Sequence, residues 1–206
     1  YFNNYLKYSE KLLSYNSFNE NYTNALPAAL AIELFHNFTL IHDDIMDKAN
    51  LRRGAKTVHE KWDNNIAILS GDTMLVQSYS LLSDLELNIQ ANVYKVFSDT
   101  AKQVCEGQQL DMDFEQIQEL EISEYIEMIK KKTSVLLAAS FQIGALIANA
   151  SIEDTSLMYQ FGLNIGIAFQ LQDDMLDLYG DQSKFGKKTG GDIISNKKTY
   201  LFLKSL

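Results

Sequence analysis

The segment ALPAALAIELFHNFTLIHDDIMD, residues 25–47, decides the fold class of this chain. Its apolar residues return every three or four positions, which is the period of an α-helix with one buried face. The recurring positions are Leu26, Leu30, Leu34, Phe38 and Ile41. Pro27 falls in the first turn of this helix, where a proline costs no internal hydrogen bond. The segment therefore predicts a long amphipathic helix that ends in acidic residues.

Similar helical patterns continue along the rest of the chain. They predict helices over Ile66–Leu82, from the break at Asp84–Asn88 to about Met112, from an N-cap at Ser123 to Ala150, over Met158–Tyr179, and again from about Asn196. The 206 residues include one proline and ten glycines, which leaves few positions for the tight turns of a β-rich fold. We expect an all-α fold with a single core.

Charge and composition exclude several classes of protein. Eighteen basic and twenty-seven acidic residues give a net charge of −9, which argues against nucleic-acid binding through a general basic surface. The most apolar stretch, Val135–Ala150, is too short and too polar to cross a bilayer, so we expect no transmembrane segment. The single cysteine, Cys105, excludes an internal disulfide, and the N-terminus lacks the pattern of a secretory signal. These features favour a cytoplasmic location.

Two acidic clusters carry the strongest chemical signal. Asp43 and Asp47 are four residues apart, as are Asp173 and Asp177, so a helix places each pair on one face. Like charges at this spacing repel unless cations neutralise them. A solvated acidic surface is the alternative for one cluster alone, but both clusters lie among apolar residues. Two such clusters suit Mg²⁺ held together with phosphate oxygens.

Basic residues follow each cluster closely. Arg52 and Arg53 follow the first cluster, and Lys187 with Lys188, Lys197 and Lys198 follow the second. Arginine suits two-pronged phosphate contacts, which favours a binding role for Arg52, Arg53 and Lys187, whereas Lys198 is predicted to be solvated. His36 lies two helical turns before Asp43, near the same stripe, and is a candidate diphosphate contact. His42 and His59 are interpreted as packing or capping residues.

Together these motifs resemble the trans-isoprenyl diphosphate synthase family, also called the polyprenyl synthetase family. The resemblance rests on LIHDDIMD at 40–47 with LRRG at 51–54, on GQQLD at 107–111, on FQLQDDMLD at 169–177, and on Gly186-Lys187 with Asn196-Lys197. It extends from about Ala25 to the end of the chain.

The resemblance implies a fold and a reaction. The fold would be one domain over residues 1–206, an antiparallel helical bundle of the isoprenoid synthase type with a central active-site cavity. The reaction would be a magnesium-dependent condensation of isopentenyl diphosphate with an allylic diphosphate, with three Mg²⁺ ions per site and release of diphosphate. The product would be a short all-trans prenyl diphosphate, geranylgeranyl or farnesyl, and the protein would form a homodimer.

The resemblance also implies a role for each motif residue. Those that would bind magnesium directly are Asp43, Asp47 and Asp173, and those that would complete the metal shells are Asp44, Asp174 and Asp177. Those that would grip the allylic diphosphate are Arg52, Lys132 and Lys187, and those that would hold isopentenyl diphosphate are His36 and Arg53. Those that would face the developing cation are Thr133, Gln170 and the backbone near Lys132. Those that would line the substrate site are Gln108, Asp111 and Lys197.

Two departures from the family pattern accompany the resemblance. A basic Gly-Lys-x-x-Arg segment is expected before Leu26, and nothing in Tyr1–Asn24 matches it. Further helices are expected after Lys197. We therefore expect a domain that lacks an N-terminal basic segment and the C-terminal helices. Phe38, five residues before Asp43, is a bulky ring that favours a short product.

Two other functions remain open at this point. A terpene cyclase also ionises prenyl diphosphates, but its second metal motif usually mixes Asn, Ser or Thr, and Glu. A non-catalytic subunit that binds prenyl diphosphates would explain the missing basic segment. The intact pair of acidic clusters favours the prenyltransferase over both alternatives.

Overall fold

A computed structural model describes residues 14–19, 22–180 and 196–205 of the chain. In chain order, its helices are α1 (Leu26–Met46), α2 (Val58–Lys61), α3 (Asn64–Leu82), α4 (Leu87–Phe114), α5 (Ile122–Ile129), α6 (Val135–Ile147), α7 (Ile152–Tyr179) and α8 (Tyr200–Ser205). A 3₁₀-helix, Tyr22–Ala25, precedes α1, and a π-helix, Lys130–Ser134, joins α5 to α6. The short strands β1 (Leu51–Arg52) and β2 (Ala55–Lys56) form the one sheet within the described ranges. The predicted all-α fold is confirmed.

The chain divides into two compact units. The first lies within Tyr1–Ser98 and Ala139–Tyr159, and the second lies within Asp99–Ala138 and Gln160–Leu206. The first acidic cluster belongs to the first unit and the second cluster to the second. Within the described ranges, no helix is long and apolar enough to cross a membrane.

The first unit is built on the contact between α1 and α3. The buried face of α1 combines small and large apolar side chains, namely Ala28, Ala29, Ala31, Ile32, Phe35 and Phe38. Phe35 meets the ring of Phe97 edge to face, with centroids 5.4 Å apart. On the other helix, the position of Gly71 lets the ring of His42 lie close, because a Cβ there would come within 2.5 Å of His42 Nε2. His42 thus has the packing role that the sequence predicted, stacked edge to face against Phe38.

The start of α3 shows why the chain turns where it does. Asp63 precedes the helix, and its carboxylate accepts a hydrogen bond from the backbone N–H of Ile66 at 2.9 Å. That bond satisfies one of the N–H groups that a helix start leaves without an internal partner. The polar residue Asp63, ahead of the helix predicted at Ile66–Leu82, is therefore the helix cap.

The second unit has a compact core where α5 meets α7 and α8. Four buried residues form its centre, Phe114, Tyr125, Met128 and Ile129. Half-buried apolar residues from α7 and α8 pack around them, including Ile167, Leu171, Tyr200 and Leu203. Tyr125 is 2% exposed, which makes it one of the largest fully enclosed side chains in the described part of the chain.

Three sequence predictions about this region are wrong. The N-cap of α5 is Glu121 rather than Ser123, and the backbone N–H of Glu121 donates to Glu124 Oε2 at 2.9 Å. The side chain of Glu124 therefore caps the helix start by accepting a hydrogen bond, in addition to the favourable interaction of its charge with the helix dipole. The helix predicted to run without interruption to Ala150 is broken by the π-helix at Lys130–Ser134. The final helix also begins later than predicted, at Tyr200 rather than near Asn196.

Candidate active site

The first acidic cluster occupies the last turn of α1 and is braced by an arginine from the following hairpin. Arg52 Nε donates to both carboxylate oxygens of Asp44 at 2.8 Å, and Arg52 Nη2 lies 2.7 Å from Asp44 Oδ1 and 3.2 Å from Asp43 Oδ2. Asp44 is 4% exposed, whereas Asp43 is half-buried and Asp47 is exposed. The buried member of the cluster is therefore compensated by protein, and the outer two members are the ones more open to a ligand.

The charge of Arg52 is secured by these carboxylates. Burial by itself lowers the pKa of the guanidinium, but the hydrogen bond and charge of Asp44, with the charges of Asp43 and Asp47, outweigh it and raise the pKa. Arg52 therefore remains a cation beside the cluster. The sequence predicted Arg52 as a diphosphate contact, and the structure adds that its guanidinium is already joined to two aspartates.

A two-residue turn, Arg53-Gly54, joins β1 to β2 directly after Arg52. Arg53 and Gly54 both have positive φ, +55° and +77°, which is the backbone of the tight turn that suits two antiparallel strands. Glycine takes that conformation without strain. Beyond the hairpin, Thr57 Oγ1 donates to the carbonyl of Ala49 at 2.7 Å, which ties the residue after β2 to the segment between α1 and β1. Arg53 is thus held on a turn and exposed, beside an arginine that is turned inward.

His36 lies in the same unit, on the half-buried part of α1. The hydroxyl of Thr39 donates to the backbone carbonyl of His36 at 2.8 Å, and this contact does not involve the imidazole. The position two turns before Asp43 is confirmed as helical throughout, because both residues lie within α1. Its predicted contact with isopentenyl diphosphate stays a prediction.

In the second unit, the site is organised around the π-helix. The backbone N–H of Val135 donates to the carbonyl of Lys130, five residues back, and the hydroxyl of Ser134 lies 3.4 Å from the carbonyl of Ile129. Such wide turns within α-helices are rare and occur often at functional sites. This one carries Lys132 and Thr133, two of the residues that the motifs had singled out.

Glycines on two other helices make room for this turn. A Cβ at Gly107 of α4 would lie 2.2 Å from the backbone nitrogen of Lys132, and a Cβ at Gly166 of α7 would lie 2.5 Å from Cα of Ser134. Both contacts are with the main chain, which cannot swing aside as a side chain can. The glycine of the GQQLD motif is therefore explained by the close approach of two backbones.

Two lysines share one carboxylate beside this turn. Lys132 Nζ lies 2.6 Å from Asp111 Oδ2, and Lys197 Nζ lies 3.5 Å from the same oxygen. The side chain of Asp111 is 11% exposed. Two ammonium groups therefore lie against one carboxylate oxygen, and an anion at this place would meet both cations.

A chain of hydrogen bonds leads from Thr133 into the second acidic cluster. Thr133 Oγ1 lies 2.9 Å from Gln170 Oε1, and Gln170 Nε2 donates to Asp174 Oδ1 at 3.0 Å. The hydroxyl of Tyr125 donates to Asp174 Oδ2, and so does the backbone N–H of Tyr200 at 3.4 Å. Burial raises the pKa of Asp174 and the charge of Asp173 adds to this, while the three donors lower it in part.

The remaining predicted residues of this unit have distinct surroundings. Asp173 and Asp177 are half-buried on α7. Gln108 keeps a buried Nε2 that has no hydrogen-bond partner among the described residues, so it retains an unused donor. Lys187 lies outside the described residues. So does most of the segment in which the N-terminal basic motif was expected.

The carboxylates suit magnesium only when a bound diphosphate or water supplies further oxygen ligands. Within the described ranges, no group of three His, Cys, Asp or Glu residues is arranged to hold a metal ion by itself. Mg²⁺ is usually held by one or two carboxylates together with water and substrate phosphate oxygens. The donor set therefore suits a metal that arrives with a diphosphate.

Sequence reasoning missed Tyr125 and Tyr200. Neither belongs to a motif, and the signal of Tyr125 is only an aromatic residue at an apolar position of α5. Its role becomes visible when the chain brings it to Asp174, 49 residues further on.

Comparison with known proteins connects this arrangement to a family. The family model for polyprenyl synthetase matches residues 6–206. A geranylgeranyl diphosphate synthase from Methanosarcina mazei is 46% identical over 195 residues, which cover 93% of this chain and 60% of that protein. The chain thus spans about 60% of the length of this curated relative.

Solved structures agree with this result. The crystal structure of a geranylgeranyl pyrophosphate synthase superposes with a TM-score of 0.94 at 52% identity, covering 97% of this chain and 61% of the other. A geranyltransferase from Helicobacter pylori, complexed with magnesium and isoprenyl diphosphate, superposes with a TM-score of 0.83 at 32% identity, covering 97% and 71%.

Proposed function

Because the chain belongs to the polyprenyl synthetase family, we propose that the protein joins isopentenyl diphosphate to an allylic diphosphate. The observation that carries this proposal is the π-helix. At successive positions it presents an ammonium group, Lys132, and a hydroxyl oxygen, Thr133. The reaction needs these two chemistries side by side, since an anion departs and a carbocation remains.

The cationic residues would hold the allylic diphosphate. Lys132 and Lys197, which share Asp111 as a partner, supply two positive charges in the second unit. Arg52 would supply another, and its charge is secured by Asp44. Lys187 completes the proposed set by resemblance, and the unused donor of Gln108 suits a phosphate oxygen.

Isopentenyl diphosphate would be held by His36 and Arg53. Arg53 is exposed on the hairpin turn, where its guanidinium can reach a second anion independently of Arg52. The family pattern adds a basic segment before Leu26 that has no counterpart in Tyr1–Asn24.

Magnesium would be held by Asp43, Asp47 and Asp173, with Asp44, Asp174 and Asp177 supporting them, and three ions per site are proposed. When bound with the diphosphate, such ions neutralise the charge that builds on the leaving group. The bracing of Asp44 by Arg52 and of Asp174 by three donors supports indirect roles for these two residues.

The proposed reaction proceeds by ionisation, condensation and elimination. The carbon–oxygen bond of the allylic substrate breaks, and its electron pair leaves with the diphosphate. The double bond of isopentenyl diphosphate then donates its π electrons to the allylic carbon, which forms the new carbon–carbon bond. Loss of a proton restores a double bond, and the departed diphosphate is a suitable base. The oxygens of Thr133 and Gln170 would stabilise the cation while it exists.

The proposed product is a short all-trans prenyl diphosphate, geranylgeranyl or farnesyl. Phe38 supports a short product, since its ring lies one and a half turns before Asp43 and is buried between Phe35 and His42. The M. mazei relative carries the name of a geranylgeranyl diphosphate synthase, which favours the longer of the two.

A cytoplasmic homodimer is part of the same proposal. Two exposed apolar side chains, Leu69 and Val76, lie seven residues apart on one face of α3, and they are candidates for contact with a second copy. Sedimentation velocity on the complete natural chain tests this pairing, and a sharp monomer peak at micromolar concentration would argue against it.

The test of the proposed reaction is an assay with labelled isopentenyl diphosphate. The complete natural chain is incubated with Mg²⁺ and with dimethylallyl, geranyl or farnesyl diphosphate, and the products are dephosphorylated and sized. We expect incorporation that requires both an allylic primer and Mg²⁺. The product should have 20 carbons for a geranylgeranyl-type synthase or 15 carbons for a farnesyl-type synthase.

Other results would select other functions. A cyclised hydrocarbon formed from farnesyl diphosphate alone would identify a terpene cyclase. Saturable binding of prenyl diphosphates without any incorporation would identify a non-catalytic subunit. Neither result is compatible with the proposed condensation.

A further inference from the structure

Asp174 is the most enclosed carboxylate of the second acidic cluster, and its surroundings differ from those of its neighbours. It is 4% exposed, whereas Asp173 and Asp177 are half-buried. It accepts hydrogen bonds from the Tyr125 hydroxyl, from Gln170 Nε2 and from the backbone N–H of Tyr200. Both of its oxygens are therefore engaged by groups of the protein itself.

These contacts dictate the orientation of Gln170. An ionised carboxylate can only accept hydrogen bonds, so the amide of Gln170 must turn its NH₂ group towards Asp174. The amide oxygen then points the other way, where it lies 2.9 Å from Thr133 Oγ1. An amide oxygen also only accepts, so the hydroxyl proton of Thr133 must be donated to Gln170.

The last link determines what Thr133 can offer to a substrate. A threonine hydroxyl that rotates freely can present either its proton or its lone pairs. With the proton committed to Gln170, the oxygen of Thr133 presents lone pairs. An electron-deficient carbon is stabilised by lone pairs and is destabilised by a hydroxyl proton, so this orientation matters for the cation.

We propose that Tyr125 and Asp174 are positioning residues that fix the hydrogen-bond direction of Gln170 and Thr133, so that acceptor oxygens face the developing allylic cation. This inference rests on the proposed function. No bond forms between these residues and the substrate, and no proton leaves the chain of hydrogen bonds. Their contribution is a dipole arrangement that is set before the reaction and need not reorganise during it.

This assignment differs from a role for Asp174 as a metal ligand. A metal ligand needs an acceptor position that faces the metal, and donors from α5, α7 and α8 already take three of the about four acceptor positions of the Asp174 carboxylate. The two assignments predict different responses to magnesium, and the experiment below uses that difference.

The central experiment is a double-mutant cycle between Tyr125→Phe and Thr133→Val, measured as kcat and KM for both substrates. The variant Y125F removes one hydroxyl and keeps the ring in the core. We expect kcat to fall about tenfold with both KM values within about twofold of wild type, since the change costs a hydrogen bond to a charged group and leaves binding intact. We expect Y125F to have little further effect on kcat when Thr133 is already Val, because Tyr125 acts through Thr133. Full additivity of the two losses would overturn the inference.

Matched variants separate positioning from folding. The variant T133S keeps the hydroxyl and is expected to keep kcat within about threefold of wild type. Tyr15 is a fully buried tyrosine of the first unit, and Y15F is expected to leave kcat unchanged even if it lowers the melting temperature. If kcat falls as much in Y15F as in Y125F, the loss reflects general destabilisation of the protein, and the inference is refuted.

The variant Asp174→Asn gives a second, independent reading. Asparagine has the same shape but can donate, so it can let Gln170 reverse its amide and turn the proton of Thr133 outward. We expect kcat to fall at least about tenfold at saturating Mg²⁺ while the half-saturating concentration of Mg²⁺ stays the same. A raised Mg²⁺ requirement with normal kcat at saturation would assign Asp174 to the metal instead. If circular dichroism shows that Y125F is unfolded, D174N replaces it in the cycle with T133V.

The outcomes also separate this inference from the proposed function. A wild-type protein that condenses the two substrates, with additive variants, overturns only the positioning role. A wild-type protein that condenses nothing overturns the proposed function, and the positioning role fails with it.

Discussion

Replacing Asp43 or Asp173 with alanine is expected to lower kcat about a thousandfold, the largest loss from any single change in the carboxylates. Each carboxylate is proposed as a direct magnesium ligand, and its loss leaves the charge of the departing diphosphate less neutralised. Stability should change little. At Asp173 it is expected to rise by a few tenths of a kcal/mol, because removing one of two like charges a helical turn apart relieves their repulsion. Steady-state rates at several Mg²⁺ concentrations, with melting temperatures measured alongside, test both expectations.

The control for these variants is Asp99→Asn. Asp99 is exposed on α4 and has no part in the proposed chemistry, so its loss of charge should leave kcat unchanged. Turnover close to that of wild type in D43A or D173A would refute the metal role of that residue. A large fall in the melting temperature would instead attribute the lost activity to folding.

Replacing Gly107 with alanine is expected to have the largest effect on stability. The new Cβ would lie 2.2 Å from the backbone nitrogen of Lys132, a distance that requires one of two main chains to move. Overpacking of this kind costs about 3 kcal/mol or more when the neighbour is backbone and cannot rotate away. The displaced π-helix should also carry Lys132 out of its contact with Asp111, so kcat should fall even in the folded fraction. Gly166→Ala, opposed to Cα of Ser134 at 2.5 Å, should behave in the same way.

Urea unfolding of G107A and G166A measures the first effect, and kcat per folded molecule measures the second. Gln109→Ala is the control on the same helix, since Gln109 is exposed and its side chain contacts only Asp113 among the contacts described, at 2.8 Å. Its stability should remain within about 0.5 kcal/mol of wild type. A G107A protein as stable as Q109A would show that the two backbones are not in contact.

The first helix and its acidic cluster could be predicted from the sequence because their signals are local. The apolar period of α1, the proline in its first turn and the pair of aspartates four residues apart all fall within 23 consecutive residues. The structure places α1 at Leu26–Met46, one residue inside each predicted boundary. Local periodicity was enough to predict the helix and its bounds. It was wrong about the buried face: of the recurring positions only Phe38 is buried, and Leu30 is 41% exposed. The small residues Ala28, Ala29 and Ala31 form much of the buried face instead, because they allow close contact with α3.

The candidate site residues of the second unit could not be predicted in the same way. Nothing in the letters KKKTS distinguishes a π-helix from an α-helix, and the glycines that leave room for the wide turn, Gly107 and Gly166, come from other parts of the chain. The pairing of Tyr125 with Asp174 spans 49 residues and follows from the packing of α5 on its neighbours. Tertiary contacts that determine local structure leave no periodic trace in the sequence.

The predicted role of Arg52 shows a third kind of limit. The sequence singled out Arg52 as a candidate site residue, and the structure places it between Asp44 and the hairpin turn. Residue type alone suggested only a contact with phosphate, and the structure shows a double contact with Asp44 and a longer one with Asp43. An arginine beside carboxylates can pair with those carboxylates or with a bound phosphate, and the sequence does not show which partner it prefers.

The π-helix also resets the angular register of the helical rod that contains it. One residue beyond the α-helical count rotates everything after it by about 100°, since an α-helix turns through 360° every 3.6 residues. No residue of α6, Val135–Ile147, is exposed, so each of its side chains has a packed position that this rotation determines. Deleting one residue from Lys130–Ser134 would restore an unbroken helix and would move every side chain of α6 out of its place in the core. The π-helix therefore fixes the length of this segment more strictly than its composition.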